Sequence, residues 1–157
     1  MDMFIRELLD LQDEFLKFND NWLSYENDKY GAKCNVVTGS YQLVPSHCKN
    51  CGVEWLDSSD FYAHRNTPNK RKIQLTEING LKIVLKLSIP RFMCRHCLST
   101  SSSQLPSKFL LLGQSISRKL YYQVLFDLKK KITMKDIAKI RNMGYSIVYG
   151  ILDKIAK

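Results

Sequence analysis

Two short stretches carry thiols at a spacing suited to a metal: Cys48-Lys49-Asn50-Cys51 and Cys94-Arg95-His96-Cys97, with 42 residues between the pairs. Each Cys-x-x-Cys turn sets two sulfurs on one side of a tight bend. Four thiolates complete the tetrahedral shell of a structural Zn²⁺ and leave no position for substrate. Gly52, directly after the first pair, supplies the positive-φ freedom that such a bend uses. Disulfides would need an oxidising compartment. The N-terminus opens with acidic residues and no apolar core run, which is not an export signal. A redox Cys-x-x-Cys would open a helix, whereas polar, turn-like sequence follows both pairs here. The expectation is a structural zinc on Cys48, Cys51, Cys94 and Cys97, with His47 and His96 beside them as alternative ligands. Cys34 begins an apolar run and reads as a small core residue of a strand. His64 falls in a basic loop and reads as solvated.

At 157 residues the chain has room for one or two small domains, and 45% hydrophobic residues is ordinary for a globular protein. No apolar run approaches the length of a bilayer span. The formal charge of +9 conceals a partition. Residues 1–28 hold eight acids (Asp2, Glu7, Asp10, Asp13, Glu14, Asp20, Glu26 and Asp28) against Arg6 and Lys17, a net of −6. Residues 29–157 hold 22 bases and 7 acids, a net of +15. A basic body of this size beside a metal site points to nucleic acid; a merely solvated basic surface is the bland alternative.

The elements that must position these residues follow from periodicity, giving an α+β expectation. Apolar positions from Phe4 to Leu16 recur at helical spacing, which predicts an acidic amphipathic helix over residues 3–18 within an N-terminal arm, residues 1–30. A zinc ribbon is expected over residues 34–105. Cys34–Val44 reads as a strand or a hairpin turning at Gly39-Ser40. Ile73–Ile78 and Leu81–Ile89 alternate about Asn79-Gly80, a strong hairpin signal. Two knuckles joined by these antiparallel strands would form a small sheet, with metal replacing the core that so small a unit cannot bury. Residues 98–107, rich in Ser with Pro106, read as a linker.

Residues 114–157 read as three helices. Ser115 or Ser117 caps the first, Thr133 with Asp136 opens the second as a capping box, and Ser146 caps the third. The tight turn Asn142-Met143-Gly144 makes the last two helices a helix-turn-helix pattern. Its last helix would meet a DNA groove through Tyr145, Ser146 and Tyr149. Further expected DNA contacts are Lys70, Arg71, Lys72, Arg91, Arg118 and Lys119. A plain three-helix bundle used for subunit contact is the other reading of this segment. Arg141 stands where an apolar residue is expected, and Gly150 interrupts the last helix at a cost of about 1 kcal/mol relative to Ala. Both read as signs of decay.

Cys48-Lys-Asn-Cys-Gly, the paired strands, Pro90-Arg-Phe-Met-Cys-Arg-His-Cys, Ile116-Ser, Ile137-Ala-Lys and Tyr145-Ser-Ile-Val together resemble the N-terminal portion of bacterial insertion-sequence transposases of the IS-L-three family. The resemblance runs from about Leu8 to the C-terminus, and the paired cysteines are its specific part. It implies a zinc-binding ribbon with Cys48, Cys51, Cys94 and Cys97 as ligands, then a helix-turn-helix that binds transposon ends in double-stranded DNA. The family's catalytic domain, with its carboxylate triad, would lie beyond Lys157. The expectation is therefore a truncated, non-enzymatic copy, cytoplasmic and nucleoid-associated, with a second copy or a separate catalytic half as protein partner and no membrane. A free-standing zinc-containing DNA-binding regulator and a protein-interaction module working through the acidic helix are the alternatives.

Overall fold

The strands on either side of Asn79-Gly80 pair as their alternation requires. β4 (Arg71–Ile78) and β5 (Leu81–Ser88) are antiparallel, with Asn79 and Gly80 both at positive φ in the turn. The computed structural model describes residues 1–64, 70–106, 108–111 and 113–157. Residues 65–69, part of the expected basic loop, lie outside the described residues.

The hairpin does not belong to the cysteine unit. β5 runs parallel to β2 (Lys33–Tyr41), and β2 pairs antiparallel with β1 (Leu16–Asn27), giving a four-stranded sheet in the order β1-β2-β5-β4. Alternate residues of this sheet, Val37, Ile73, Leu75, Ile83, Leu85 and Leu87, are buried in one core. Cys94 instead ends a strand of a separate three-stranded sheet, β3 (Phe61–His64), β6 (Arg91–Cys94) and β7 (Thr100–Ser102) in the order β3-β6-β7, with Cys48, Cys51 and Cys97 in the turns beside it. The chain is thus mixed α+β with two sheets, not a ribbon alone between helices.

Three expectations fail locally, each for a physical reason. The N-terminal helix, α1, covers only Met3–Leu8, because Asp10 turns into the left-handed region at φ 59°. The Asp13 carboxylate then accepts the Phe15 N–H at 2.8 Å, and the chain enters β1. Leu9, Leu11 and Leu16 are buried in the sheet core, a burial that a helical stripe and a strand can both deliver. Gly39-Ser40 is not a turn: β2 runs straight through it. Glycine is required at 39 because a Cβ there would lie 2.8 Å from the Phe18 ring. Residues 98–106 of the expected linker are not free either, and residue 107 lies outside the described residues. They supply β7, and Leu105, followed by Phe109 and Leu110, closes the sheet core.

Helices α2 (Arg118–Leu128), α3 (Met134–Ile140) and α4 (Tyr145–Ile155) share a second core of Ile116, Leu120, Val124, Ile137, Ala138, Met143, Val148 and Ile151. Ser117 caps α2, its side chain accepting the Leu120 N–H at 3.3 Å. Thr133 accepts the Asp136 N–H and donates to the Asp136 carboxylate at 2.7 Å, the expected box. Ser146 does not cap α4; Gly144 occupies that position and makes no side-chain bond. No described helix is long and apolar enough to cross a membrane.

The helices are moored to the exposed edge of β4. Gln74 exchanges backbone bonds with Ser115 and Ser117, so the edge strand is covered. The buried Gln74 amide donates to the carbonyls of Arg141 and Asn142 at 2.8 and 3.2 Å, satisfying the end of α3. Asn142 donates to the Gly80 carbonyl across the hairpin turn. Arg141 is no blemish: its guanidinium reaches Asp127 on α2 and Glu77 on β4, each at 2.7 Å.

Gly150 does look replaceable. A Cβ there meets nothing within 4 Å, and its φ is not positive. Gly150→Ala is expected to stabilise the chain by about 1 kcal/mol, since it lowers the entropy lost on forming α4. Thermal unfolding measured beside the parent reads it directly; an unchanged or lower Tm refutes it.

Candidate metal centre

The two cysteine turns repeat one hydrogen-bond pattern. In the first, Cys48 N–H donates to the Val53 carbonyl and Gly52 N–H to the Cys48 carbonyl, at 2.9 and 3.0 Å. In the second, Cys94 N–H donates to Ser99 and Leu98 N–H to Cys94, at the same two distances. The residue after each second cysteine has positive φ, 75° at Gly52 and 57° at Leu98. Leucine in that region is strained, so the second turn holds by its surroundings rather than by residue choice.

Those surroundings are specific. Asp60 accepts the His96 imidazole at 2.9 Å through one oxygen and the N–H groups of Leu56 and Asp57 through the other. Its backbone carbonyl accepts the Arg95 N–H. The His96 contact and these amides hold the Asp60 carboxyl below its ordinary range. His96 is thereby turned to Asp60, and His47 to the Ser46 hydroxyl. Neither alternative ligand belongs to the sulfur cluster. Beneath the turns, Trp55, Phe61 and Phe92 stack edge and face with centroids 5.0–6.3 Å apart, against Cys48 and Cys94.

The four sulfurs of Cys48, Cys51, Cys94 and Cys97 all lie within 4.8 Å of one another. Cys48 is 3.5 Å from Cys97 and Cys51 is 3.8 Å from Cys94. A tetrahedral thiolate site with metal–sulfur bonds of about 2.3 Å has sulfur–sulfur edges of about 3.8 Å. The donor set fits one metal ion with little movement.

Four thiols this close cannot all ionise without a cation among them. Cys48 is held down at about 5, first by the Ser99 hydroxyl, then by the Cys51 and Asn50 amides. Cys97 is lowered to about 7, again chiefly by Ser99. At Cys51 the Val53 amide pulls downward, but desolvation and the neighbouring sulfurs outweigh it and push the thiol up to about 11. A metal would supply the missing positive charge and take all four as thiolates. Ser99, 3.3 Å from the Cys48 sulfur and 2.9 Å from that of Cys97, is a participant that the ligand spacing alone does not reveal. Its signal was its place two residues after a ligand cysteine, the place held by Val53 in the first turn.

The other sequence-nominated residues are spread over β4, β6, α2 and α4 and the residues next to them. Lys70, Arg71 and Lys72 are exposed at the start of β4, where the Arg71 guanidinium donates to the Gln114 carbonyl. Arg91 is exposed on β6. Arg118 and Lys119 open α2; Arg118 lies over the Tyr122 ring and Lys119 is exposed. Tyr145, Ser146 and Tyr149 are exposed on the first turns of α4, with the two tyrosine rings stacked 6.5 Å apart. Cys34 is buried in β2 and takes no part in the cluster. His64 is half-buried in β3, not loose in a loop. Comparison with protein-family models, curated proteins and solved structures finds no match to this chain.

Proposed function

We propose that the chain is a zinc-containing double-stranded-DNA-binding protein, acting as the end-recognising, non-catalytic part of an insertion-sequence transposase. Zinc is the ion this reading assigns to Cys48, Cys51, Cys94 and Cys97, since a closed shell of four thiolates suits a structural, redox-silent ion. In this reading α3 and α4 act as the helix-turn-helix and Tyr145, Ser146 and Tyr149 face the bases. Lys70, Arg71, Lys72, Arg91, Arg118 and Lys119 meet phosphates.

The observation that carries the reading is where the acids of the basic body are spent. Glu77 and Asp127 turn to Arg141, and Asp60 turns to His96. Lys70, Arg71, Arg91 and Lys119 are exposed cations at the start of β4, on β6 and on α2, and Lys72 has Glu26 near it. The net charge of +15 over residues 29–157 favours association with a polyanion. The two exposed, stacked tyrosines at the head of α4 add groups able to make base contacts, which the phosphates alone cannot supply.

The test is fluorescence anisotropy of the zinc-loaded chain on labelled 30-base-pair duplexes, between about 50 and 200 mM salt. With six to ten phosphate contacts, affinity is expected to fall by about 10³–10⁵ over that range. Lys72→Ala is expected to flatten the logarithmic slope by about one unit, while Tyr149→Ala lowers discrimination between duplex sequences and leaves the slope alone. Binding insensitive to salt refutes the proposal.

A further inference from the structure

The Ser99 hydroxyl lies 2.9 Å from the Cys97 sulfur and 3.3 Å from that of Cys48, so a residue that follows the second cysteine turn reaches a sulfur of the first. The crossing is returned: the Asn50 side chain, in the first turn, bonds to Cys97 in the second. Backbone amides serve the same sulfurs. Asn50 N–H donates to Cys48 at 3.4 Å, and Ser99 N–H donates to Cys97. Those amides persist whatever side chain stands at 99; the hydroxyl does not.

Four thiolates around a divalent ion carry a net charge of about −2. Two of the four, Cys48 and Cys94, are buried against Trp55 and Phe92. Negative charge beside an apolar floor needs hydrogen bonds to the sulfurs. A serine hydroxyl has one proton and gives it to one sulfur at a time. Cys97 is the nearer, and rotation about the Cβ–Oγ bond turns the proton to Cys48. Side chains that bond to metal ligands in this way fix the ligands and tune their donor strength.

We infer that Ser99 is a positioning residue for the metal. Its hydroxyl ties the two cysteine turns together at the sulfurs and draws negative charge from Cys97 and Cys48, so that the ion is held more tightly than by the cysteines and amides alone. The inference rests on the reading of the four cysteines as a metal site, and goes beyond it in giving part of the ion's retention to a residue that does not ligate it.

The test uses the full chain. Zn²⁺ affinity is read by competition with a chromophoric chelator. Co²⁺ loaded in its place reports the sulfurs through the sulfur-to-metal charge-transfer band in the near ultraviolet. Ser99→Ala is expected to bind Zn²⁺ about 10–100-fold more weakly. Its charge-transfer band should move to longer wavelength, since a sulfur relieved of a hydrogen bond holds its electrons less tightly. Ser99→Thr keeps the hydroxyl and should restore both. Ser101→Ala is the control: Ser101 is buried, and its hydroxyl accepts the Lys49 N–H at 3.5 Å, in the first turn but not at a sulfur. Its band should stay with the parent's. Parental affinity or an unmoved band in Ser99→Ala overturns the inference and leaves the metal site standing. A band moved as far by Ser101→Ala also overturns it, because the band then reports packing. A parent chain that takes up neither ion overturns the metal reading itself and the inference with it.

Discussion

Cys94→Ser is expected to abolish metal binding at the cysteine cluster and unfold the cysteine unit alone, leaving the four-stranded sheet and the helices in place. The unit has β strands of four, four and three residues and a buried core of little more than Trp55, Phe92 and two of the cysteines themselves. Such a sheet cannot offset its own chain entropy. Structural zinc in small metal domains contributes on the order of 10–16 kcal/mol of binding free energy, which is folding free energy for the unit that binds it. The larger sheet has its own core, thirteen buried residues among those described, and none of them belongs to the cysteine cluster. Metal content should therefore fall from one ion per chain to none. The emission of Trp55, isolated by Trp22→Phe, should shift red, while the far-ultraviolet spectrum keeps most of its amplitude. Chelation of the parent should reproduce both changes. Acid should do so as well, because protons compete for the same four sulfurs. Cys34→Ser should leave metal content unchanged, since that thiol lies in β2 outside the cluster. Metal content unaffected by Cys94→Ser, or loss of all secondary structure with it, would show that the ion is not where the sulfurs converge or that the modules are not separable.

The asymmetry between what was legible and what was not has a physical basis. The cysteine turns, the Asn79-Gly80 hairpin and the caps at Ser117 and Thr133 are set by residues within five positions of one another, so spacing alone reveals them. The parallel pairing of β2 with β5 joins Cys34 to Lys82, and no local pattern marks it. Without that pairing the β4–β5 hairpin looks like property of the nearest cysteines. Leu9 and Leu16 stand seven apart, a helical spacing, yet Leu9 caps the end of α1 while Leu16 opens β1, where Tyr41 of β2 is its strand partner. The Ser-rich stretch hides Leu105 because its composition reads as linker while a single apolar residue does the packing. At the cluster all four cysteines were readable, but Ser99 was not: Val53 holds the equivalent place in the first turn, so position alone does not call for a hydroxyl there. The same limit turned Arg141 into an apparent defect: its partner Glu77 is 64 residues away.

Arg141→Ala is expected to be strongly destabilising, far from the cysteine cluster. The Arg141 side chain is 17% exposed, Glu77 15% and Asp127 only 3%. Removing the guanidinium strands Glu77, whose second oxygen already lacks a partner among the described residues. It also leaves Asp127 to Lys130, which is half in water. Breaking a buried pair from one side costs about 3–5 kcal/mol, and the partial exposure of this one argues for the lower end, on the order of 3 kcal/mol. For a chain of this size that is a fall in Tm of about 6–12 °C. Burial raises the Asp127 carboxyl, but the bonds from Arg141 and Lys130 outweigh it and leave the group below its ordinary value. Such a group contributes stability above the unfolded carboxylate range, about pH 4, and loses it as pH falls through the folded value. Arg141→Ala should therefore flatten the acid limb of the stability curve as well as lowering it. Arg141→Met with Asp127→Asn and Glu77→Gln removes the stranded charges together and should recover more than half of the loss. A triple variant no better than Arg141→Ala would mean that shape, not charge, holds the helices to β4. A double-mutant cycle between Arg141→Ala and Glu77→Ala isolates the contact between α3 and the sheet, where a coupling below about 0.5 kcal/mol would remove that contact from the account. Because the Gln74 amide still donates to the carbonyls at the end of α3 and the helices keep their own core, the damaged chain should open at the seam between helices and sheet first. Faster hydrogen exchange at Gln74 and Ser117, before any within β5, is the pattern that distinguishes loss of this mooring from general weakening.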